Sequence, residues 1–269
     1  MIKALNQIDT TNADLESLPS REVSLASFAC FTDSFPLRGE QLYRILFDRH
    51  ANVVQTQKAR FAIANIEKIL TATFEISSVS GFNKMSLRDL SKRTGMSMGA
   101  IYSCISKKED IAMMVADIVR LSSELTRRHA MKAASFWSQI EQSVRFHLYA
   151  SALLQPWYFF LYFETRSLPE QQQNESKQIE LGAIRNFEKL IDEGVKAGEF
   201  KPCNSAMISN TVVVLLEDWY LKPWKTRSYS RSQQSVVSRE QEINSYHRML
   251  IELLEELLNP SRCGEPVSN

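Results

Sequence analysis

Four histidines (His50, His129, His147, His247) and four cysteines (Cys30, Cys104, Cys203, Cys263) are the side chains best suited to hold a metal or attack a substrate. They stand apart from one another. No C-x-x-C pair, H-E-x-x-H, G-x-S-x-G or glycine-rich phosphate loop occurs, so the spacing points to no metal, no cofactor and no enzyme. Scattered cysteines also fit a reduced, cytoplasmic protein better than a disulfide frame. The remaining chemistry is charge. Across 269 residues, 32 Lys and Arg nearly balance 31 Asp and Glu, yet residues 58–108 carry 9 basic against 3 acidic side chains. Such a basic block in an otherwise mildly acidic chain suggests contact with a polyanion. A solvated helix face is the other reading of the same charges.

The elements that must position this block are helical. Glycine and proline number only 8 each, and β-proteins spend both at their turns, so the chain is expected to be all-α. Its longest apolar stretch, from Tyr149 to Phe163, is broken by Gln155 and Pro156. It falls short of the ~18 apolar residues of a membrane span, so no membrane partner is expected. The first residues, MIKALNQIDTTNADLE, lack the apolar core of a secretory signal.

Residues 1–57 read as an N-terminal extension, partly disordered. It holds an apolar patch at Phe28 to Phe35 and one short amphipathic helix from Glu40 to His50. From residue 58 the pattern turns firmly helical, with Ile63, Ile66, Ile69, Leu70, Thr73 and Phe74 on one face, stopping near Gly81. Ser86 and Asp89 can cap a second helix that ends at Thr94-Gly95, and Ser97 can cap a third, Met98 to Cys104. Ser106 and Glu109 fit a capping box opening a longer fourth helix. Two short helices joined by a glycine turn make a helix-turn-helix. Met96 and Ile101 would plug its interior, leaving Met98, Gly99, Ala100, Tyr102 and Ser103 outward. Further helices are expected near 107–131, 136–154, 157–166, 172–197, 204–222 and 240–258, with a polar loop from Tyr229 to Ser238. This gives an extension (1–57), a helix-turn-helix domain (58–108), a second helical domain (109–260) and a tail (261–269).

Residues 58–114 resemble the TetR/AcrR family of bacterial transcriptional regulators. The likeness is carried by Ile69-Leu-Thr-Ala72 with Phe74, Gly81-Phe82, Met85-Ser-Leu-Arg-Asp-Leu90, Thr94-Gly-Met-Ser-Met-Gly-Ala-Ile-Tyr102 and Lys108-Glu-Asp-Ile111. Two departures stand out. Met98 replaces an often basic residue, and Ser103, Cys104 and Ile105 follow Tyr102 where the family usually has aromatics.

The resemblance implies a symmetric dimer on near-palindromic double-stranded DNA, most often as a repressor. The third helix would enter the major groove with Ser97, Met98, Gly99, Ala100, Tyr102 and Ser103. Lys84, Ser86, Arg88 and Lys108 would meet phosphates, and Tyr102 resembles the family's backbone-contacting tyrosine. The resemblance also implies a small effector held among the later helices, and their aromatic side chains suit a largely hydrophobic one. Trp137, Phe146, Tyr149, Trp157, Tyr158 and Phe187 are candidate pocket residues, and a solid aromatic core would explain them equally. Val212, Leu216, Trp219, Leu250 and Leu254 are candidates for the homodimer interface, or for a helix pair buried within one chain. A DNA-binding protein without an effector, or one controlled by a protein docking on the extension, are the alternative functions.

Overall fold

The computed structural model describes residues 22–54, 58–225 and 238–259. Among these residues there is no strand, so the all-α expectation holds. Helices α1 (Phe28–Ser34) and α2 (Gly39–Arg49) come first. Then follow α3 (Ala59–Ser80), α4 (Leu87–Thr94) and α5 (Met98–Tyr102), with a 3-10 turn at Phe82–Lys84. The second part comprises α6 (Lys108–Ala130), α7 (Phe136–Leu153), α8 (Gln155–Phe163), α9 (Glu170–Lys196), α10 (Ser205–Leu221) and α11 (Arg239–Leu258), with a 3-10 turn at Thr165–Ser167. No helix among the described residues is long and apolar enough to cross a membrane.

Local chemistry sets the boundaries of the helix-turn-helix. Helix α3 buries Ala62, Ile63, Ile66, Ile69, Leu70 and Thr73 and stops at Gly81, whose φ of 80° suits glycine. Phe74, also expected on that stripe, is partly buried and packs against Trp157 and Phe160 of α8. At the start of α4 the Ser86 hydroxyl accepts the Asp89 N–H while the Asp89 carboxylate accepts the Ser86 N–H. Gly95 ends α4 in the left-handed region. Leu90, Met96 and Ile101 are buried between the two short helices, as the sequence pattern requires.

The opening of α6 differs from expectation by one residue. Its N-cap is Lys107, not Ser106, and its N3 acid is Asp110, not Glu109. The Asp110 carboxylate accepts both the Ser106 and Lys107 N–H groups, at 2.8 and 2.9 Å. One short side chain thus serves two otherwise unpaired amides and fixes where the helix begins.

The extension holds two helices rather than one. The patch at Phe28 to Phe35 is itself helical, capped by Ser27. Phe31 stacks on Phe35 at 4.8 Å, and both meet the edge of Phe146 on α7. Both phenylalanines are essentially fully buried, which is worth about 2–3 kcal/mol each. Helix α2 packs along α3 and also reaches α6. There Arg49 grips Asp117 through two bonds of 2.6 and 2.8 Å, a bidentate geometry favoured by guanidinium and carboxylate. Residues 22–54 are therefore part of the same hydrophobic core as the rest. The first 21 residues, the tail at 261–269 and the expected loop from Tyr229 lie outside the described residues. Ser238 is the exception and caps α11.

Candidate nucleic-acid face and effector chamber

The outer face of α5 is formed by Ser97, Gly99 and Tyr102, all exposed, with Met98, Ala100 and Ser103 half-buried beside them. Tyr102 is 47% exposed, which excludes the packed-core reading of this aromatic. Gly99 is informative. Its φ is not positive, and an added Cβ would meet nothing closer than Ser97 Oγ at 4.0 Å. Glycine in a helix costs about 1 kcal/mol relative to alanine, and nothing inside the chain requires it here. A glycine serving no internal need fits a face that another backbone must approach closely.

The polar groups around α5 are not equally available. The Ser97 oxygen accepts the Ala100 N–H, which leaves its own proton free to point outward. Ser86 donates its proton to the Asp89 carboxylate, and Ser103 donates to the Ala100 carbonyl. Their hydroxyl donors are thus committed within the chain. Lys84 and Arg88 are exposed and hold no ion pair among the described residues. The exposed Lys92 and Lys107 extend the same charged rim, although neither carries a motif that singled it out in the sequence.

Lys108 does not take the role expected of it. Its ammonium donates to the carbonyls of Phe82, Asn83 and Met85 at 3.0, 2.9 and 3.2 Å. It also lies 5.0 Å from the centroid of the Phe82 ring. An ammonium has three hydrogens, and all three have acceptors here. Three carbonyls converge where the 3-10 turn ends, so Lys108 joins α6 to that turn instead of facing solvent. Cys104 and Ile105, which depart from the family pattern, are fully buried beneath α5. Burial pushes the Cys104 thiol up, away from reactivity.

Two adjoining cavities lie in the second part of the chain. The first, about 180 Å³, is lined from α6, α7 and α9 by Thr126, Arg127, Gln139, Asn186 and Leu190 among others. The second, about 70 Å³, is enclosed by α6, α7, α8, α9 and α10 and lined by Tyr158, Tyr162, Glu180, Glu217 and Tyr220 among others. Ser123, His147, Ala183 and Phe187 line both. Burial pushes the His147 imidazole down to about 4, so it is neutral near pH 7, and its Nε2 has no hydrogen-bond partner. Burial likewise lifts the Tyr158 phenol to about 12, although that hydroxyl lies 3.0 Å from Ser122 Oγ as donor. Burial, with the neighbouring Glu180 charge, raises the Glu217 carboxyl to about 7.

Of the six expected pocket aromatics, Phe187 lines both cavities and Tyr158 lines the second. The other four line neither. Phe146 and Tyr149 are covered by Phe31 of α1. Trp157 meets Tyr43 of α2 and Phe74 of α3, and Trp137 is half-buried against the core. The extension occupies the ground that Phe146, Tyr149 and Trp157 face, and their periodicity gave no sign of that. Ser123, Glu180, Glu217 and Tyr220 escaped the sequence reading because polar residues scattered over several helices form no motif, and nothing in the sequence singled out His147.

The five residues expected at a dimer interface are buried within the single chain. Val212, Leu216, Trp219, Leu250 and Leu254 are each at most 2% exposed. Tyr246 reinforces this packing by donating to the Leu215 carbonyl at 2.6 Å. The helix-pair alternative is therefore what these residues do. Other faces of the same helices carry exposed apolar side chains, Met207 and Val214 on α10 and Met249 and Leu253 on α11.

Comparison with known proteins agrees with the fold. Residues 133–221 match the family model described as the Tetracyclin repressor-like, C-terminal domain. A tetR-family regulatory protein from Rhodococcus RHA1 superposes with a TM-score of 0.60 at 16% identity, over 74% of this chain and 98% of that one. PfmR, a TetR family transcriptional regulator from Thermus thermophilus, gives 0.55 at 17% identity, over 68% and 97%. FadR from Bacillus subtilis, solved in complex with stearoyl-CoA, gives 0.53 at 16% identity, over 70% and 96%. At these identities the likeness speaks for the fold. No curated protein matches the chain by sequence.

Proposed function

We propose that this chain, which has the TetR-regulator fold and a tetracycline-repressor-like C-terminal domain, is a dimeric, sequence-reading transcriptional regulator. It acts as a repressor, released from a near-palindromic operator by a small effector, and is not an enzyme. The observation that carries this reading is the α5 face. It has an unexplained glycine, an exposed tyrosine and an outward serine donor, with Lys84 and Arg88 beside it. Helix α5 supplies the base contacts, and the basic rim supplies sequence-independent affinity. Two such faces, roughly 34–36 Å apart, would meet successive major-groove turns. The exposed stripes of α10 and α11 give a dimer contact outside the monomer core.

Release is a population shift. Helix α8 faces both ways. Tyr158, Leu161 and Tyr162 line the second cavity. Trp157 and Phe160 rest on Phe74 of α3, Phe160 meets Phe82, and Glu164 accepts the Phe82 N–H at 2.6 Å. A ligand that moves α8 therefore bears on the helix-turn-helix, provided it binds the two states unequally. FadR shows that a relative of this fold was solved with a small molecule bound.

Selection from randomised duplex DNA at fixed salt tests the reading, because phosphate contacts make affinity depend steeply on ionic strength. The expected result is a palindromic motif that Tyr102→Ala loses. Enrichment of no motif, with binding that only fades as salt rises, would overturn it.

A further inference from the structure

We infer that the second cavity recognises an organic cation with an apolar body, and that Glu217 and Glu180 hold its charge. This rests on the effector reading above and names the effector's class. Four observations lead there. Glu180 and Glu217 line the cavity together and oppose each other electrostatically. Neither forms an ion pair with a Lys or Arg among the described residues. Arg166, the cation felt by Tyr162, is stacked over the Phe163 ring at 5.6 Å instead. A half-buried carboxylate beside a like charge is destabilised, and a bound cation relieves both the burial and the repulsion.

The walls suit the same ligand. Tyr158 and Tyr220 lie 5.1 Å apart, and Tyr162 stands at the rim. Aromatic faces attract cations, most strongly when water is excluded. His147, 5.3 Å from the Tyr158 ring, is neutral and leaves Nε2 without a partner, so the cavity holds no cation of its own to repel a ligand. Val119, Leu161, Val213 and Leu216 supply apolar wall for the ligand's body. At about 70 Å³ the second cavity takes the charged head and the start of the body, and the rest extends into the adjoining first cavity of about 180 Å³.

The test uses the full-length protein and benzyltrimethylammonium as the probe. Neopentylbenzene, its neutral isostere, and stearoyl-CoA, an anion, serve as comparisons, with binding followed by tryptophan fluorescence. The cation is expected to bind about tenfold or more tightly than the neutral isostere. Glu217→Gln, with its fold checked by circular dichroism, is expected to remove that preference, and Glu180→Gln to reduce it. Equal binding of cation and isostere, or a preference that survives Glu217→Gln, would overturn the inference. So would tighter binding of stearoyl-CoA that also displaces DNA, although the regulator reading would then stand. Cation binding with no operator selected from random DNA would support this cavity's chemistry while overturning the regulator reading.

Discussion

Glu217→Gln should stabilise the protein, and only at higher pH. The carboxyl is raised from 4.5 to about 7 by burial first and by Glu180 second. A folded-state value above the unfolded one means the folded chain keeps a proton that the unfolded chain has released. Stability therefore falls as pH rises between those two values, and the cost is complete above about 7. If the whole shift were felt on folding it would correspond to about 3 kcal/mol. Glu217 is only partly buried, so screening by solvent lowers the expected gain to about 1–2 kcal/mol. For a chain of this size that is a rise in Tm of roughly 3–6 °C. Thermal melts followed by circular dichroism at about pH 8 should show this gain, and at about pH 5 it should nearly vanish. A gain of the same size at both pH values, or a loss at the higher one, would refute the argument. It would mean that Glu217 is fully solvated or holds a structural contact.

Four other substitutions separate structural from surface roles. Lys108→Met strands the carbonyls of Phe82, Asn83 and Met85, and should cost about 1–3 kcal/mol in urea unfolding. Arg88→Ala should leave stability within about 0.5 kcal/mol but reduce the salt dependence of DNA binding by about one phosphate contact. Burial alone would raise the Asp117 carboxyl, yet the two hydrogen bonds from Arg49 and the nearby His50 imidazole, 3.3 Å away, hold it at about 2. Its contribution is therefore present above the ordinary value of 3.8 and is lost as pH falls through about 2. Asp117→Asn should cost about 3–5 kcal/mol near neutrality and speed hydrogen exchange in α2. Leu253→Asp, on the exposed stripe of α11, should shift sedimentation toward monomer, whereas a dimer unchanged by it would place the interface elsewhere.

The helix-turn-helix was legible because its signals are local. Ser86, Gly95 and Ser97 each fix a boundary through their own backbone or a neighbour two or three residues away, and a single sequence displays that. Lys108 shows where such reading stops. A basic residue at a helix start has the same appearance whether it meets phosphate or three carbonyls lying more than twenty residues earlier in sequence. The aromatic candidates failed for a related reason. Phe146 and Tyr149 are as apolar as Phe187, but only the tertiary fold decides which face meets α1 and which meets a cavity. Apolar periodicity locates burial and leaves open what buries it. For Val212 and Leu254 the covering surface is the chain itself.

The position of α8 limits how an effector can act. The helix has nine residues, or about 14 Å of length, and is fixed on both sides. Trp157 and Phe160 touch the first part of the chain, while the adjacent Tyr158 and Leu161 touch the cavity. So short a helix moves as one body, and displacement of Tyr158 by a ligand must carry Trp157 with it. Opposing that motion are the Tyr158–Ser122 hydrogen bond to α6 and the Glu164 contact to Phe82. Helix α6 is in turn tied to the extension through Asp117 and Arg49. Residues 22–54 thus brace the same linkage that an effector would have to move. Loosening the brace by Asp117→Asn should lower the effector concentration needed for release, because less binding free energy is then spent on the structural change.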